Sequence, residues 1–142
     1  MRRKSILLVE DNPDDEALTL RALRKHDLAD EVVVVRDGAE ALAFFYEATR
    51  AGDDQLPELV LLDLKLPKVD GLQVLKMLRE DLHMHRLPVV VLSSSSEERD
   101  IAQSYDLGAN SYVRKPVDFA EFSEAVRQLG IYWLGLNEPS PR

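Results

Sequence analysis

Three acidic residues at the ends of two apolar runs carry the clearest chemical signal in this sequence. Glu10 and Asp11 follow the run at residues 6–9, and Asp63 follows the run at residues 59–62. Carboxylates gathered in one crevice repel one another unless a cation neutralises them. Mg²⁺ prefers oxygen ligands of this kind, and a carboxylate can serve as the nucleophile in phosphoryl transfer. If the fold brings these acids together, they form a magnesium site beside a nucleophilic aspartate, Asp63.

Two further polar residues stand at the ends of later apolar runs. Ser93 follows the run at residues 89–92, and Lys115 comes shortly after the run at residues 111–113. From neighbouring strand ends, a hydroxyl and an ammonium group would each reach an oxygen of a phosphoryl group on Asp63. They would offset the charge on that group during its transfer. Ser93 and Lys115 are therefore the candidate phosphate-binding residues.

The elements that must position these side chains alternate regularly along the chain. Apolar runs of strand length occur at residues 6–9, 32–35, 59–62, 89–92 and 111–113, with longer amphipathic segments between them. Their Val and Leu content is typical of parallel strands buried on both faces. We predict an α/β fold, a flavodoxin-like (βα)₅ three-layer sandwich with strand order 2-1-3-4-5. In that order, the ends of strands 1 and 3 flank the crevice where ligands bind.

Helix starts are marked by cap residues followed three positions later by Glu or Gln. The pairs are Asp37 with Glu40, Asp70 with Gln73, Ser95 with Glu98, and Asp118 with Glu121. The first helix has Asn12 as its cap and Pro13 at its first position. Asp14 and Asp15 follow, and the positive end of the helix dipole explains both without a metal.

Composition favours one globular domain over residues 1–130 with a tail at residues 131–142. The chain has 142 residues, 45% of them hydrophobic, and no cysteine. The formal net charge of −8 disfavours binding to nucleic acid phosphates. The first apolar run is too short for a signal peptide or a membrane span. We expect a cytoplasmic protein without a membrane or nucleic-acid partner.

The tail after the last predicted helix, which should end near residue 130, is unusually apolar. It contains Ile131, Tyr132, Trp133, Leu134 and Leu136. Such a cluster either packs back on its own domain or contacts a second protomer. Both alternatives, intramolecular packing and a homodimer contact, stay open on the sequence.

The order of the polar residues resembles the response-regulator receiver family over residues 4–130. The matching strings are ILLVEDNPDD, LVLLDLKLPKVDGLQVL, VVVLSSSS and GANSYVRKP. The resemblance implies a two-component response regulator in which Asp63 accepts a phosphoryl group from a sensor histidine kinase. It also implies Mg²⁺ ligation by Asp11, Asp63 and the backbone carbonyl of Lys65, with Glu10 acting more indirectly.

The same resemblance implies further roles in switching. Ser93 and Tyr112 match the family's switch pair, in which the aromatic ring turns inward as the hydroxyl moves to the phosphoryl group. The surface of helix 4, strand 5 and helix 5 would change as a result. Lys65 and Ser95 match positions that tune hydrolysis of the acyl phosphate. The bond before Pro116 is expected to be cis.

Within this family, the tail and the opening VEDNPDDEALTLRAL resemble the single-domain regulators of bacterial phytochrome histidine kinases, several of which are dimers. Two rival classes fit less well. A phosphatase of the haloacid dehalogenase type needs an acid two residues after its nucleophile, where this chain has Lys65. A dinucleotide-binding module needs a glycine-rich loop after strand 1, and this sequence has no such loop there. A receiver-like interaction module that is never phosphorylated stays as the alternative.

Overall fold

A five-stranded parallel sheet with a helix after each strand forms the protein. The computed structural model describes residues 4–52 and 55–141, so the outer limits of the predicted domain and tail, at residues 1 and 142, lie outside the described residues. The strands are β1 (Ser5–Val9), β2 (Glu31–Val35), β3 (Leu59–Leu62), β4 (Val89–Ser93) and β5 (Ser111–Arg114). The helices are α1 (Pro13–Lys25), α2 (Gly38–Ala51), α3 (Gly71–Glu80), α4 (Glu98–Asp106) and α5 (Phe119–Ile131). The strand order β2-β1-β3-β4-β5 confirms the predicted topology.

The sheet separates two apolar cores, which makes the three layers. Successive side chains of a strand point to opposite faces, so Leu7 and Val9 of β1 enter a core with Phe45 of α2 and Leu75 of α3. Alternate residues of the same strand enter a second core with side chains of α1 and α5. The strands are therefore buried on both faces, as their continuous apolar runs require.

Side-chain caps begin four of the five helices as predicted. Asn12 accepts hydrogen bonds from the backbone N–H groups of Asp14 and Asp15, at 2.9 and 3.1 Å. The caps of α2, α3 and α5 are Asp37, Asp70 and Asp118, which accept from the backbone N–H groups of Glu40, Gln73 and Glu121.

The predicted cap at Ser95 is wrong. Helix α4 begins after Glu97, whose side chain makes no capping hydrogen bond. The Ser95 hydroxyl instead donates to the carboxylate of Asp100 at 2.6 Å. The oxygen of that hydroxyl accepts the N–H of Glu97, the residue before the helix, rather than an N–H of the first helical turn, so α4 starts later than predicted.

The start of α3 presses against the backbone of the candidate nucleophile. The N–H of Gly71 donates to the carbonyl of Leu64 at 2.9 Å. A Cβ atom added at Gly71 would lie 2.2 Å from the carbonyl oxygen of Asp63 and 2.7 Å from the Cα of Leu64. Only glycine permits this approach, which holds the end of β3 against α3.

The apolar tail is divided between packing and exposure. After α5, the residues Tyr132–Leu136 form one turn of π-helix. Trp133 and Leu134 pack against the core shared by α1 and α5, whereas Tyr132 and Leu136 remain 47% and 74% exposed. Although this end of the chain is apolar, no helix among residues 4–52 and 55–141 is long and apolar enough to cross a membrane.

Replacing Gly71 with alanine should destabilise the fold, because the added methyl group meets backbone atoms that cannot move aside independently. We expect the free energy of unfolding to fall by about 1–3 kcal/mol, the range for overpacking a tight site. Urea denaturation would measure this loss. Gly135→Ala is the matched control, since nothing lies within 4 Å of its added Cβ atom. Equal stability of the two variants would contradict the close approach at Gly71.

Candidate functional site

Adjacent parallel strands bring the three acids to one edge of the sheet. Val9 of β1 pairs with Leu62 of β3, so the residues that follow these strands lie side by side. The N–H of Asp63 donates to the carbonyl of Val9 at 3.1 Å. Carboxylate oxygens of Glu10, Asp11 and Asp63 all lie within 4.8 Å of one another. The crevice predicted from the sequence is therefore present.

Lys115 reaches this crevice from the end of β5. Its backbone N–H donates to the carbonyl of Ser93 at 2.7 Å, which fixes β5 beside β4. Its ammonium Nζ lies 2.7 Å from Glu10 Oε1, 2.9 Å from Asp15 Oδ2 and 3.2 Å from Asp63 Oδ2. One buried cation thus serves three carboxylates.

The charges in this crevice do not balance. Burial raises the pKa of Glu10 to about 7, against the opposing hydrogen bond from Lys115, and repulsion from Asp63 adds to the increase. Burial alone would lower the pKa of Lys115, but its hydrogen bonds to Glu10 and Asp15 outweigh burial and raise that pKa. Lys115 therefore stays protonated at neutral pH, and the surplus of carboxylates favours a second cation.

The donor set fits a hard divalent cation. Glu10, Asp11 and Asp63 supply only oxygen atoms, and their separation of up to 4.8 Å is slightly above the span across an octahedral site, which is about 4 Å for Mg²⁺. Asp11 is exposed, so its side chain is free to move toward an ion. Water molecules commonly complete such a coordination sphere. Ligation by the backbone carbonyl of Lys65 stays a prediction.

The predicted cis bond before Pro116 is wrong. The described part of the chain contains no cis peptide bond, and the bond between Lys115 and Pro116 is trans. Trans is the lower-energy form even before proline, by about 0.5–1 kcal/mol. In this trans arrangement the Lys115 ammonium already lies within hydrogen-bonding distance of Asp63.

The predicted switch residues, Ser93 and Tyr112, both hydrogen-bond to Ser95. Ser93 is fully buried at the end of β4, and its Oγ accepts the N–H of Ser95 at 3.2 Å. The ring of Tyr112 is half-buried against the core shared by α2 and α3, and its hydroxyl donates to the carbonyl of Ser95 at 2.9 Å. The side chain of Lys65 is 73% exposed. The switching and tuning roles of these residues stay predictions.

Sequence reasoning missed two participants in this region, Asp15 and Asp100. Asp15 was explained by the helix dipole alone, yet its carboxylate binds the Lys115 ammonium at 2.9 Å. Its place in the first turn after strand 1, close to the predicted crevice, was the available signal. Asp100 had no such signal, because its contact with Ser95 depends on where α4 begins.

Comparison with known proteins identifies the family. A model of the family described as "Response regulator receiver domain" matches residues 6–127. The chain belongs to this family. It is 37% identical to the response regulator Rcp1 of Synechocystis sp. over 131 residues, covering 92% of this chain and 89% of Rcp1. It is 39% identical to a probable methanogenesis regulatory protein, FilR2 of Methanothrix harundinacea, covering 96% and 88% of the two chains.

Solved structures of phytochrome response regulators share the fold of this receiver domain. The phosphorylated cyanobacterial phytochrome response regulator RcpA matches with a TM-score of 0.89 and 41% identity, covering 98% of this chain and 99% of RcpA. A Mn²⁺-bound form of Rcp1 matches with a TM-score of 0.88 and 34% identity, covering 97% and 99%. The bacteriophytochrome response regulator AtBRR has 52% identity, a TM-score of 0.70 and coverage of 97% and 99%.

Removing the Lys115 ammonium should destabilise the protein, because the carboxylates of the site then lose their buried cation. In Lys115→Met the side-chain volume is largely kept, but Glu10 and Asp63 lose their cation. We expect the free energy of unfolding to fall by about 3 kcal/mol at neutral pH in chelator, the cost of leaving buried charges unpaired. Urea denaturation, repeated with Mg²⁺, should show more stabilisation by the metal in this variant than in the wild type.

Lys76→Met supplies the control, because Lys76 is exposed on α3 and lies outside the crevice. Its stability should stay within about 0.5 kcal/mol of the wild type. A Lys115→Met protein that is as stable as Lys76→Met would show that Lys115 does not neutralise the acidic cluster.

Proposed function

We propose that this receiver domain is a two-component response regulator in which Asp63 accepts a phosphoryl group from a sensor histidine kinase in the presence of Mg²⁺. The observation that carries the proposal is the position of the Asp63 carboxylate. It lies beside Glu10 and Asp11 in one oxygen cluster, and 3.2 Å from the ammonium of Lys115. Such a carboxylate has both a cation site and a fixed positive charge at hand for an incoming phosphoryl group.

The surroundings of Asp63 prepare it for transfer. Its Oδ1 accepts the N–H of Leu64 at 2.8 Å and its Oδ2 accepts from Lys115, so both oxygens are oriented before a donor arrives. A bound Mg²⁺ would offset charge on the transferring group. The Lys115 ammonium would then give up its contact with one carboxylate and bind a phosphoryl oxygen. This exchange requires only a small movement, since the ammonium already contacts Asp63.

Signalling would follow from a population shift in the loop after β4. A phosphoryl group on Asp63 favours the conformation in which the Ser93 hydroxyl closes onto it. Tyr112 then responds through the loop, and the surface of α4, β5 and α5 changes. That surface already presents apolar groups to solvent: Tyr105, Val117 and Phe119 are 50%, 101% and 62% exposed. Exposed apolar side chains of this kind suit a protein partner.

A sensor histidine kinase of the bacteriophytochrome class is the proposed donor. The support is similarity to proteins described as phytochrome or bacteriophytochrome response regulators. The protein would act in the cytoplasm and would catalyse nothing beyond its own phosphorylation and dephosphorylation. Its net charge of −8 argues against nucleic acid as the target of the signal.

A homodimer through the tail is part of the same proposal. The tail presents Ile131, Tyr132 and Leu136 to solvent at 38%, 47% and 74% exposure. They adjoin α5, so a second copy seated there would cover both the tail and the end of the signalling surface. Trp133 and Leu134, which pack on the core, would support the contact from beneath.

Phosphorylation by a small-molecule donor tests the central claim. Incubation with acetyl phosphate and Mg²⁺, followed by intact-mass measurement, should show one phosphoryl adduct on the wild type. Asp63→Asn removes the nucleophile and should abolish the adduct. Asp106→Asn, an exposed aspartate on α4, should leave it intact.

An adduct that persists in Asp63→Asn would refute the assignment of the nucleophile. A wild type that stays unmodified with both this donor and a purified bacteriophytochrome kinase would instead favour the receiver-like interaction module that is never phosphorylated.

A charge placed on the tail should separate the dimer. We expect Leu136→Glu to halve the mass measured by size-exclusion chromatography with light scattering, because a carboxylate cannot be buried there without a partner. Met77→Glu is the matched control, as Met77 is 50% exposed on α3, which packs on the opposite face of the sheet from α5. A wild-type protein that elutes as a monomer would exclude the proposed contact.

A further inference from the structure

Asp100 is a buried acid close to the phosphoacceptor site that the proposed transfer does not use. It lies in the first turn of α4 and is only 5% exposed. Its carboxylate accepts a short hydrogen bond from the Ser95 hydroxyl, at 2.6 Å. Among the described residues, Asp100 forms an ion pair with Lys65, whose Nζ lies 3.9 Å away on a largely exposed side chain. An ion pair at this distance with an exposed lysine is weak, so the buried carboxylate depends on hydrogen bonds such as the one from Ser95.

Ser95 is the point where three parts of the structure meet. Its N–H donates to the Oγ of Ser93 at 3.2 Å, which connects it to the end of β4. Its carbonyl accepts the Tyr112 hydroxyl at 2.9 Å, which connects it to β5. Its hydroxyl accepts the N–H of Glu97 at 3.3 Å while donating to Asp100, which connects it to α4. The position of Ser95 thus depends on Asp100 as much as on Ser93.

The same contact ties the start of α4 to the preceding loop. Glu97 makes no side-chain capping bond, and the hydrogen bond between Ser95 and Asp100 joins a side chain of the loop to a side chain of the first helical turn. Asp100 also faces the crevice of the site, because it lines a cavity of about 290 Å³ together with Asp11 and Lys65. The Asp100 side chain therefore couples movement of the loop after β4 to movement of α4.

We propose that Asp100 is a positioning residue that sets the lifetime of the phosphoryl group on Asp63 by holding Ser95, and through it Ser93, in place. This inference rests on the proposed function. In hydrolysis, water attacks the phosphorus atom, the bond from phosphorus to the Asp63 oxygen breaks, and orthophosphate leaves with the protons of the water. A loop anchored by Asp100 keeps the Ser93 hydroxyl near the phosphoryl oxygens and limits the approach of water. A loop without this anchor opens more often.

The half-life of the phosphoryl group measures this effect. The full-length protein is phosphorylated with acetyl phosphate and Mg²⁺, the donor is removed, and the adduct is followed by intact mass. We expect Asp100→Ala and Ser95→Ala each to shorten the half-life about threefold to tenfold, as for loss of one hydrogen bond. The double variant should be no faster than either single variant, because both remove the same contact. Ser95→Thr keeps the hydroxyl and should restore most of the lifetime.

Two controls separate positioning from general stability and charge. Glu98→Gln removes an exposed carboxylate from the same helical turn and should leave the half-life unchanged. Hydrogen exchange of phosphorylated Asp100→Ala should rise in residues 93–97 and the start of α4, but not in β1 or β3. A purely structural residue would lower the unfolding temperature without changing the half-life.

The outcomes are distinct. No adduct on the wild type with either acetyl phosphate or a purified bacteriophytochrome kinase would refute the proposed function itself. A normal adduct whose half-life is the same in wild type, Asp100→Ala and Ser95→Ala would refute the role of Asp100 alone. Strictly additive effects of Asp100→Ala and Ser95→Ala would also refute it, since they would show that the two side chains act independently.

Discussion

The crowding of carboxylates around one ammonium is the constraint on which the rest of this structure depends. Lys115 contacts Glu10, Asp15 and Asp63, and Asp11 lies in the same oxygen cluster. Such an arrangement costs stability, because buried like charges repel and lose their hydration. A divalent cation would reduce this cost by neutralising the carboxylates. A phosphoryl group would do so by giving the Lys115 ammonium a new partner. The proposed function and the expected cost in stability therefore depend on the same few side chains.

The fold could be predicted because its signals are local and mutually consistent. Continuous apolar strands such as β3 require burial on both faces, and the short connections leave few chain paths. The caps at Asp37, Asp70 and Asp118 were predictable because each binds a backbone N–H only three residues away. The edge of the sheet that gathers the site then follows from the strand order alone.

The errors arose where contacts within the folded chain outweigh the preference read from the sequence. Ser95 has the sequence pattern of a cap, but its oxygen accepts the N–H of Glu97, which precedes the helix, and its hydroxyl donates to Asp100. Asp15 has the pattern of a dipole residue, yet it also binds Lys115, 100 positions away. The cis bond before Pro116 was inferred from family resemblance rather than from these residues, and the chain adopts the trans form.

The contact between α3 and the main chain of Asp63 makes one side of the site rigid. At Gly71 the helix meets the main chain of Asp63 and Leu64 with no side chain between them, and such a junction yields little. At the end of β4, by contrast, Ser93, Ser95 and Tyr112 are held together by hydrogen bonds alone. If Asp63 accepts a phosphoryl group as proposed, the tight junction at Gly71 would resist movement, and the response would run through the hydrogen-bonded loop toward β4 and β5.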